Sequence, residues 1–412
     1  MPTPSRNPLS PTLPLLQECF RWYGPADPVP LSYIRQAGAT GVYTALHEIP
    51  YGEVWPREAI RERKAVLAAA GLEWKAVESV PIHEDIRTRS GRCEEYLANY
   101  AQTLRHLGAE GVSVVVYNFM PVLDWVRTDL EYKLEDGSTC LHFDPVKFGA
   151  FEIHALQRPG AENDYTPEQR AGADAFWRSL DAGGREAFIA SLIEQLPGSK
   201  SGFTLEKIRA MLAKYAGIDR ATLKANYKHF LKSVVPAAEE AGVRLAVHPD
   251  DPPRSILGLP RIVSCAEDLR DLLDAVPSRH NGLCFCTGSF SAGAHNDVPA
   301  MIRTFADRIH AVHLRVTKRF PDGCFYEDNH LEGSIDMADA VQALLDEQKR
   351  RQEADLPDWQ LSFRPDHGHR MMNDLDLPPV PNPGYSAIGR MRGLAEIRGL
   401  QYGLARAKWG KA

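Results

Sequence analysis

The sequence predicts one (β/α)8 barrel, a TIM-barrel α/β fold, because runs typical of strands alternate with segments typical of helices. Eight β-like runs are present, and several are almost continuously apolar, for example V-S-V-V-V-Y-N-F at 112–119. Such runs are expected for parallel strands that are buried on both faces. Strands alternating with helices around a full set of eight indicate a closed barrel. A two-domain Rossmann fold is disfavoured, since no G-x-G-x-x-G motif follows the first run.

The predicted elements follow in chain order. Strands are predicted at 19–23, 40–46, 72–79, 111–119, 244–249, 282–288, 309–316 and 361–365. Helices are predicted between most of them, at 56–70, 94–106, 227–241, 265–275, 298–305 and 337–351. A C-terminal helix near 388–407 is expected to pack against the barrel wall.

One connection is longer than the barrel needs. Roughly 120 residues separate the fourth strand from the fifth, where roughly 30 suffice for a helix and its loops. Helix-like pieces lie at 148–157, 167–180, 184–195 and 205–215. We therefore expect a helical excursion at about 145–225 on the catalytic side of the barrel, acting as a lid or as the contact of a homodimer. Residues 1–18 are rich in Pro, Ser and Thr and are expected to form a flexible tail before a single catalytic domain at 19–412.

Composition narrows the class of protein. The formal net charge of -6 is too mild to indicate a nucleic-acid partner. The sequence contains no run of 18 apolar residues, so no transmembrane helix is predicted. The first residues do not resemble a secretory signal. The seven cysteines form no C-x-x-C pair, which argues against a zinc ribbon and a disulfide framework. We expect a cytoplasmic protein with no membrane partner.

Four polar motifs end consecutive predicted strands in the C-terminal part of the chain. They are A-V-H-P-D-D-P-P with His248, G-L-C-F-C-T-G-S with Cys286, H-A-V-H-L-R with His313 and F-R-P-D-H-G-H with Asp366. In a parallel barrel the carboxyl ends of the strands meet at one mouth, where such enzymes place their chemistry. Two imidazoles, a thiolate and a carboxylate suit Mn²⁺, Fe²⁺, Co²⁺ or Zn²⁺ better than Ca²⁺ or Mg²⁺. The sequence therefore predicts a metal site.

Each motif also has a simpler interpretation. A single histidine at a strand end is more often a hydrogen-bonded structural residue than a ligand. Cys286 lies two residues after Cys284 in an apolar run, so the simpler interpretation is two inert buried thiols. Both point to the same side of their strand, but only Cys286 reaches the strand end. The occurrence of all four residue types on consecutive strands is what favours the metal site.

The motifs together resemble a known family. F-R-W-Y-G-P, V-P-I-H-E-D-I, Y-N-F-M-P-V-L-D-W, A-V-H-P-D-D-P-P, C-T-G-S, H-L-R, R-P-D-H-G-H and N-P-G-Y-S-A-I-G-R look like the mannonate dehydratases of hexuronate degradation. The resemblance runs from about Phe20 to Ala405. It implies a xylose-isomerase-like TIM barrel that uses Mn²⁺ or Fe²⁺. It also implies conversion of D-mannonate to 2-dehydro-3-deoxy-D-gluconate and water, in glucuronate catabolism.

The resemblance also implies residue roles. It places the metal ligands on the same four residues and the catalytic groups on His367 and Tyr385. An imidazole suits proton transfer at neutral pH, and we expect a nearby cation to lower the pKa of the Tyr385 phenol. Without the resemblance, Tyr385 is more simply interpreted as a loop anchor.

Substrate contacts are predicted from positions at or near strand ends. Arg315 shares a strand face with His313 and is predicted to pair with the substrate carboxylate, with a structural bridge to Asp250 or Asp251 as the alternative. Polyol contacts are predicted for four further residues: Trp22, His47, Asn118 and Asp124.

Two other functions remain open from the sequence. A metal-dependent sugar isomerase or epimerase has the same fold, but such sites are usually richer in Asp and Glu than this one. A non-catalytic sugar-acid-binding protein would need the four ligands without His367 and Tyr385.

Overall fold

A computed structural model describes residues 13–195 and 204–410 of the chain. Within these residues, eight parallel strands close into a barrel in the order β1-β12-β9-β8-β7-β4-β3-β2. The predicted (β/α)8 barrel is therefore confirmed. The barrel strands are β1 (Gln17–Arg21), β2 (Gly41–Thr44), β3 (Glu73–Glu78), β4 (Val114–Tyr117), β7 (Arg244–Val247), β8 (Asn281–Cys286), β9 (Ile309–His313) and β12 (Ser362–Arg364).

The barrel strands are buried on both faces, as their apolar runs require. Along β4, Val114 and Val116 point into the barrel, where they join small side chains such as Ala246 and Ala311. Val115 and Tyr117 point outward to the helices and belong to the main hydrophobic core. The strand period of two therefore divides one apolar run between two cores.

Fourteen α-helices occur in the described ranges. They are α1 (Leu31–Gln36), α2 (Arg57–Ala69), α3 (Glu84–Thr88), α4 (Cys93–Ala109), α5 (Pro145–Ala150), α6 (Pro167–Ser179), α7 (Ala182–Ile193), α8 (Leu205–Ala213), α9 (Arg220–Ala241), α10 (Ala266–Ala275), α11 (Thr287–Ser291), α12 (Val298–Phe305), α13 (Met337–Glu353) and α14 (Ala387–Trp409). Local chemistry sets several ends. The Asp219 side chain accepts from the backbone of Thr222 to begin α9, and Gly242 ends that helix in a left-handed conformation.

The long connection contains α5 to α8, near the predicted helical pieces, but it also contains strands that the sequence analysis missed. β5 (Asp129–Lys133) and β6 (Thr139–Phe143) form a four-stranded antiparallel sheet with β10 (Thr317–Arg319) and β11 (Phe325–Glu327), in the order β10-β11-β6-β5. β10 and β11 come from the loop after β9. β5 and β6 form one hairpin and β10 and β11 another, across turns that contain Asp136-Gly137 and Asp322-Gly323. Only the pairing of β6 with β11 joins segments far apart in the chain. The strands have three to five residues each, and such short runs were not recognised in the sequence.

The two ends of the described chain pack against the barrel. β1 begins at Gln17, so the last two residues of the predicted tail belong to the barrel, while residues 1–12 lie outside the described part. The Gln401 side chain in α14 accepts from the backbone of Leu16, and Arg398 pairs with Glu18. No helix in the described part is long and apolar enough to cross a membrane.

Candidate metal centre and active site

The four predicted metal ligands meet at the carboxyl end of the barrel. Cys286 and His313 are the last residues of β8 and β9 and are paired in register. His248 directly follows β7, and Asp366 comes two residues after β12. One ligand atom from each of the four residues lies within 4.8 Å of the others. The residues named from sequence are thus brought together in space.

Each imidazole has one nitrogen held by the protein. The Nδ1 of His248 lies 2.7 Å from the carbonyl oxygen of Pro249, which only accepts, so Nε2 is left for the centre. The Nε2 of His313 accepts from Arg364 Nε at 3.1 Å, and it lies 3.3 Å from Cys284 Sγ and 3.4 Å from Glu78 Oε1. The Nδ1 of His313 is buried without a hydrogen-bond partner among the described residues. An unbonded nitrogen facing the other ligands fits a bound cation.

The two cysteines of β8 have different surroundings. Burial alone would raise the pKa of the Cys286 thiol, but the charge of Arg315 and the neighbouring imidazoles hold it well below its ordinary value. The backbone N–H and the hydroxyl of Ser289 also donate to Cys286 Sγ. Burial raises the pKa of Cys284 well above its ordinary value, because that thiol lies in the small core inside the barrel. Of the two thiols, only Cys286 belongs to the group of four ligands.

Asp366 is held by its neighbours in an unusual backbone conformation. Its φ of 63° is in the left-handed region, which non-glycine residues adopt rarely and mainly where the surrounding structure enforces it. Its carboxylate accepts from Arg315 Nε at 2.7 Å and from the Tyr385 hydroxyl at 2.7 Å. Burial would raise the pKa of Asp366, but Arg364 and other nearby cationic groups hold it well below its ordinary value.

A network of charged groups surrounds the ligands. It contains three buried guanidinium groups and four carboxylates: Arg127, Arg315 and Arg364, with Glu78, Asp251, Glu327 and Asp366. Together with the Cys286 thiolate, the negative groups exceed the positive ones by two when the histidines are neutral. This excess fits a divalent cation at the centre.

Arg315, predicted either to pair with the substrate carboxylate or to form a structural bridge, is surrounded by side chains of the protein. All three of its guanidinium nitrogens are engaged: by Asp366, by Glu327 and by Asp251 together with Ser289. The side chain is 2% exposed, so no donor is left for a substrate carboxylate. Its contacts match the structural alternative, the bridge to Asp251, and its Nε also donates to Asp366, one of the four predicted ligands.

His367 and Tyr385 lie beside the ligand group. Their rings meet edge to face with centroids 5.1 Å apart. The Nε2 of His367 lies 3.9 Å from Asp366 Oδ1. Gly384 has a φ of +82°, and a Cβ there would lie 3.1 Å from the His367 ring, so glycine allows the two segments to approach. Burial raises the pKa of Tyr385 well above its ordinary value, although the positive charge of Arg364 acts in the opposite direction.

The other predicted contacts follow β1, β2 and β4, in the other half of the barrel, where β1 neighbours β12 and β4 neighbours β7. Trp22 is buried under the Arg63 guanidinium, and His47 is exposed beside the Tyr23 ring. Asn118 accepts a hydrogen bond from Arg87. Asp124 is half-buried, and burial raises its pKa despite the nearby positive charge of Arg87.

Several site residues were not predicted from the sequence. Glu78 ends β3 and receives two hydrogen bonds from Arg364, at 2.6 and 2.9 Å. Its position at a strand end was an available signal. Glu327 lies in a three-residue strand, and nothing in the local pattern marks it. Arg261 is 1% exposed, and none of its guanidinium nitrogens has a hydrogen-bond partner among the described residues.

Comparisons with known proteins agree with this geometry. The sequence profile described as D-mannonate dehydratase (UxuA) matches residues 16–411. The chain belongs to this family. The mannonate dehydratase of Marinomonas sp. (strain MWYL1) is 52% identical over 390 residues, covering 94% of this chain and 99% of that protein. The mannonate dehydratase of Chromohalobacter salexigens is 51% identical over 387 residues, covering 94% and 98%.

A solved structure supports the same assignment. The crystal structure of mannonate dehydratase from Streptococcus suis serotype 2 matches with a TM-score of 0.75 and 34% sequence identity. The match covers 95% of this chain and 94% of that chain. Membership of the family identifies the chain as a hydro-lyase that acts on a sugar acid. The prediction from the motifs is confirmed at this level, over the isomerase and binding-protein alternatives.

Proposed function

We propose that this centre holds one Mn²⁺ or Fe²⁺ through His248, Cys286, His313 and Asp366, and dehydrates D-mannonate to 2-dehydro-3-deoxy-D-gluconate and water. The observation that carries the proposal is the convergence of the four ligand atoms within 4.8 Å. The mixed nitrogen, sulfur and oxygen set suits a borderline divalent ion. Four protein ligands leave open positions on a five- or six-coordinate ion, whereas a structural Zn²⁺ site would be closed.

The reaction breaks two bonds on neighbouring carbons. The C2–H bond gives up a proton, the C3–O bond breaks, and the hydroxyl leaves as water. The resulting enol becomes the 2-keto product by moving a proton to C3, and no oxidant or reductant is needed. When bound, the cation would stabilise negative charge on the substrate carboxylate.

We assign the proton transfers to the pair His367 and Tyr385. Both lie against Asp366, so both are next to the position where a chelated substrate would bind. The Tyr385 hydroxyl donates to Asp366 at 2.7 Å and accepts from Arg364 at 3.3 Å, which holds the phenol in place. Proton donors and acceptors in fixed positions are what such an elimination requires.

We assign the contact with the acidic or hydroxyl groups of the substrate to Arg261 instead of Arg315. Arg315 has its nitrogens occupied, whereas the buried guanidinium of Arg261 has none of them hydrogen-bonded within the described chain. Charges of Asp124 and Asp250 act on Arg261, which puts it among groups near the barrel mouth. Polyol contacts stay predicted for Asn118, Asp124, Trp22 and His47.

Three finer statements belong to the same proposal. The physiological metal is Mn²⁺ or Fe²⁺, the protein acts in the cytoplasm in glucuronate catabolism, and two copies form a homodimer through the helical excursion. Size-exclusion chromatography with light scattering tests the homodimer directly.

The function is tested on metal-stripped protein. Mn²⁺ or, without oxygen, Fe²⁺ is added, then D-mannonate, and formation of the 2-keto-3-deoxy acid is followed. We expect product only with metal, and none above background from a Cys286→Ser variant. Folded protein that binds a divalent ion yet yields no product would overturn the assignment of D-mannonate as the substrate of this centre.

A further inference from the structure

A residue outside the barrel contacts the proposed catalytic histidine. Glu327 ends β11 of the four-stranded sheet and is 3% exposed. Its Oε1 lies 3.2 Å from the Nδ1 of His367. We infer that Glu327 is a positioning residue that accepts the Nδ1–H of His367 and directs Nε2 towards the reacting groups. The inference rests on the proposed role of His367 in proton transfer.

The geometry of the two nitrogens agrees with this role. The Nε2 of His367 faces Asp366, whose Oδ1 lies 3.9 Å away, while Nδ1 faces Glu327. An ionised carboxylate only accepts hydrogen bonds, so Nδ1 must carry the proton in this pair. A neutral imidazole then has its lone pair on Nε2, on the side of the metal ligands.

Glu327 is itself held firmly. Its carboxylate accepts from Arg127 at 2.6 Å and from Arg315 at 2.8 and 3.1 Å. Its backbone oxygen accepts from His369 Nε2 at 2.9 Å, so the strand is bonded to the His367 segment twice. β11 also pairs with β6 and β10. A carboxylate fixed from several sides can orient an imidazole without moving itself.

Asp251 provides a matched control. It is also buried and also binds Arg127 and Arg315. It has no described contact with His367. Neutralising Asp251 therefore disturbs the same two arginines as neutralising Glu327, but it leaves the imidazole partner in place.

The test is a double-mutant cycle with Mn²⁺ and D-mannonate. Glu327→Gln, Glu327→Asp and Asp251→Asn are each made alone and together with His367→Asn. We expect Glu327→Gln to lower kcat about 10- to 100-fold, within the range of outer-shell effects, with KM and metal content nearly unchanged. In the His367→Asn background it should lower kcat less than about threefold. Glu327→Asp should retain an intermediate kcat, and Asp251→Asn should act equally in both backgrounds.

A second readout does not depend on turnover. The ¹⁵N signals of the His367 ring, identified by their loss in His367→Asn, report which nitrogen is protonated in metal-free protein at alkaline pH. We expect the Nδ1–H form in the wild type and in Asp251→Asn, and a mixture in Glu327→Gln. If Glu327→Gln does not fold, Glu327→Asp takes its place, because it keeps the charge that both arginines need.

Different results would contradict the positioning role of Glu327 and the proton-transfer role of His367. Equal losses of kcat from Glu327→Gln in both backgrounds, or an unchanged ring tautomer, would overturn the positioning role of Glu327. Full turnover by His367→Asn alone would instead overturn the proposed role of His367.

Discussion

Two buried arginines at the same end of the barrel have opposite surroundings. Arg315 is bonded to three carboxylates, whereas Arg261 has no hydrogen bond from its guanidinium to any described residue. Both are almost fully buried. Burying a charged group without hydrogen bonds is costly. The buried guanidinium of Arg261 is therefore suited to donate hydrogen bonds to a bound ligand.

The contrast indicates two different roles: Arg315 holds charged side chains of the protein in place, and Arg261 has donors without a described partner that a ligand can use. Around Arg315 the protein satisfies its own charges, and this fixes Asp366 and Glu327 before any substrate arrives. Preorganised groups of this kind need no rearrangement during the reaction. Around Arg261 the protein leaves donors unused, which suits a ligand with carboxylate and hydroxyl oxygens.

The largest effect is expected for a change of Cys286, one of the four proposed metal ligands close to Arg315. Cys286→Ser should remove the bound metal and lower kcat/KM at least about 1000-fold, because the thiolate is one of four ligands. Metal content by elemental analysis and turnover of D-mannonate check this. Cys284→Ala is the control: it changes the neighbouring thiol in the barrel core and should keep one metal per chain. Equal metal loss in both variants would contradict the assignment of Cys286.

The next effect concerns stability. Arg315→Met removes the guanidinium that Asp251, Glu327 and Asp366 all contact, and removing one partner of a buried ion pair typically costs about 3–5 kcal/mol. We expect the free energy of unfolding in urea to fall by about that amount. A variant as stable as the wild type would show that the network contributes nothing to the fold.

Arg261→Met should behave in the opposite way. It removes a buried charge that has no hydrogen bond, so the free energy of unfolding should stay the same or rise. KM for D-mannonate should rise about 10- to 100-fold, the range for losing a hydrogen bond from a charged group. Steady-state kinetics beside urea unfolding check both. An unchanged KM together with a loss of stability would make Arg261 another structural arginine and remove the contrast.

The smallest expected effect is a change in the free energy of unfolding with pH, caused by Asp124, whose charge acts on Arg261. Burial raises the pKa of Asp124, so the folded state holds this proton more tightly than the unfolded state. The stabilisation is therefore complete at low pH and is lost as pH rises through the raised pKa. Asp124→Asn should gain stability relative to the wild type between about pH 4 and 7, by less than about 1 kcal/mol for a half-buried group. Urea unfolding across this range checks the sign; Asp219→Asn, whose carboxylate has a lowered pKa, should show the reverse trend.

The sequence predicted a large part of the barrel and of the ligand group. Eight β-like runs, several of them almost continuously apolar, marked the barrel strands, because parallel strands buried on both faces are rich in apolar residues. His248, Cys286, His313 and Asp366 were found because each follows or ends such a run. The four short strands of the second sheet were missed, although Asp136-Gly137 and Asp322-Gly323 mark the turns of its two hairpins, because β5 is half-exposed and charged and each strand has only three to five residues. The pairing of β6 with β11, which joins the two hairpins, depends on the tertiary structure.

The sequence by itself determined the family, the barrel and the identity of the residues at its mouth, because strand period and motif order are local properties of the chain. Only the tertiary structure decided which charges pair. Arg315 was predicted either to meet the substrate carboxylate or to bridge to Asp250 or Asp251. In the structure it contacts Asp251, Glu327 and Asp366, which come from three different loops and strands. Glu327 reaches His367 from a separate sheet for the same reason. Pairing between side chains depends on distances across the fold, and spacing along the sequence does not contain those distances.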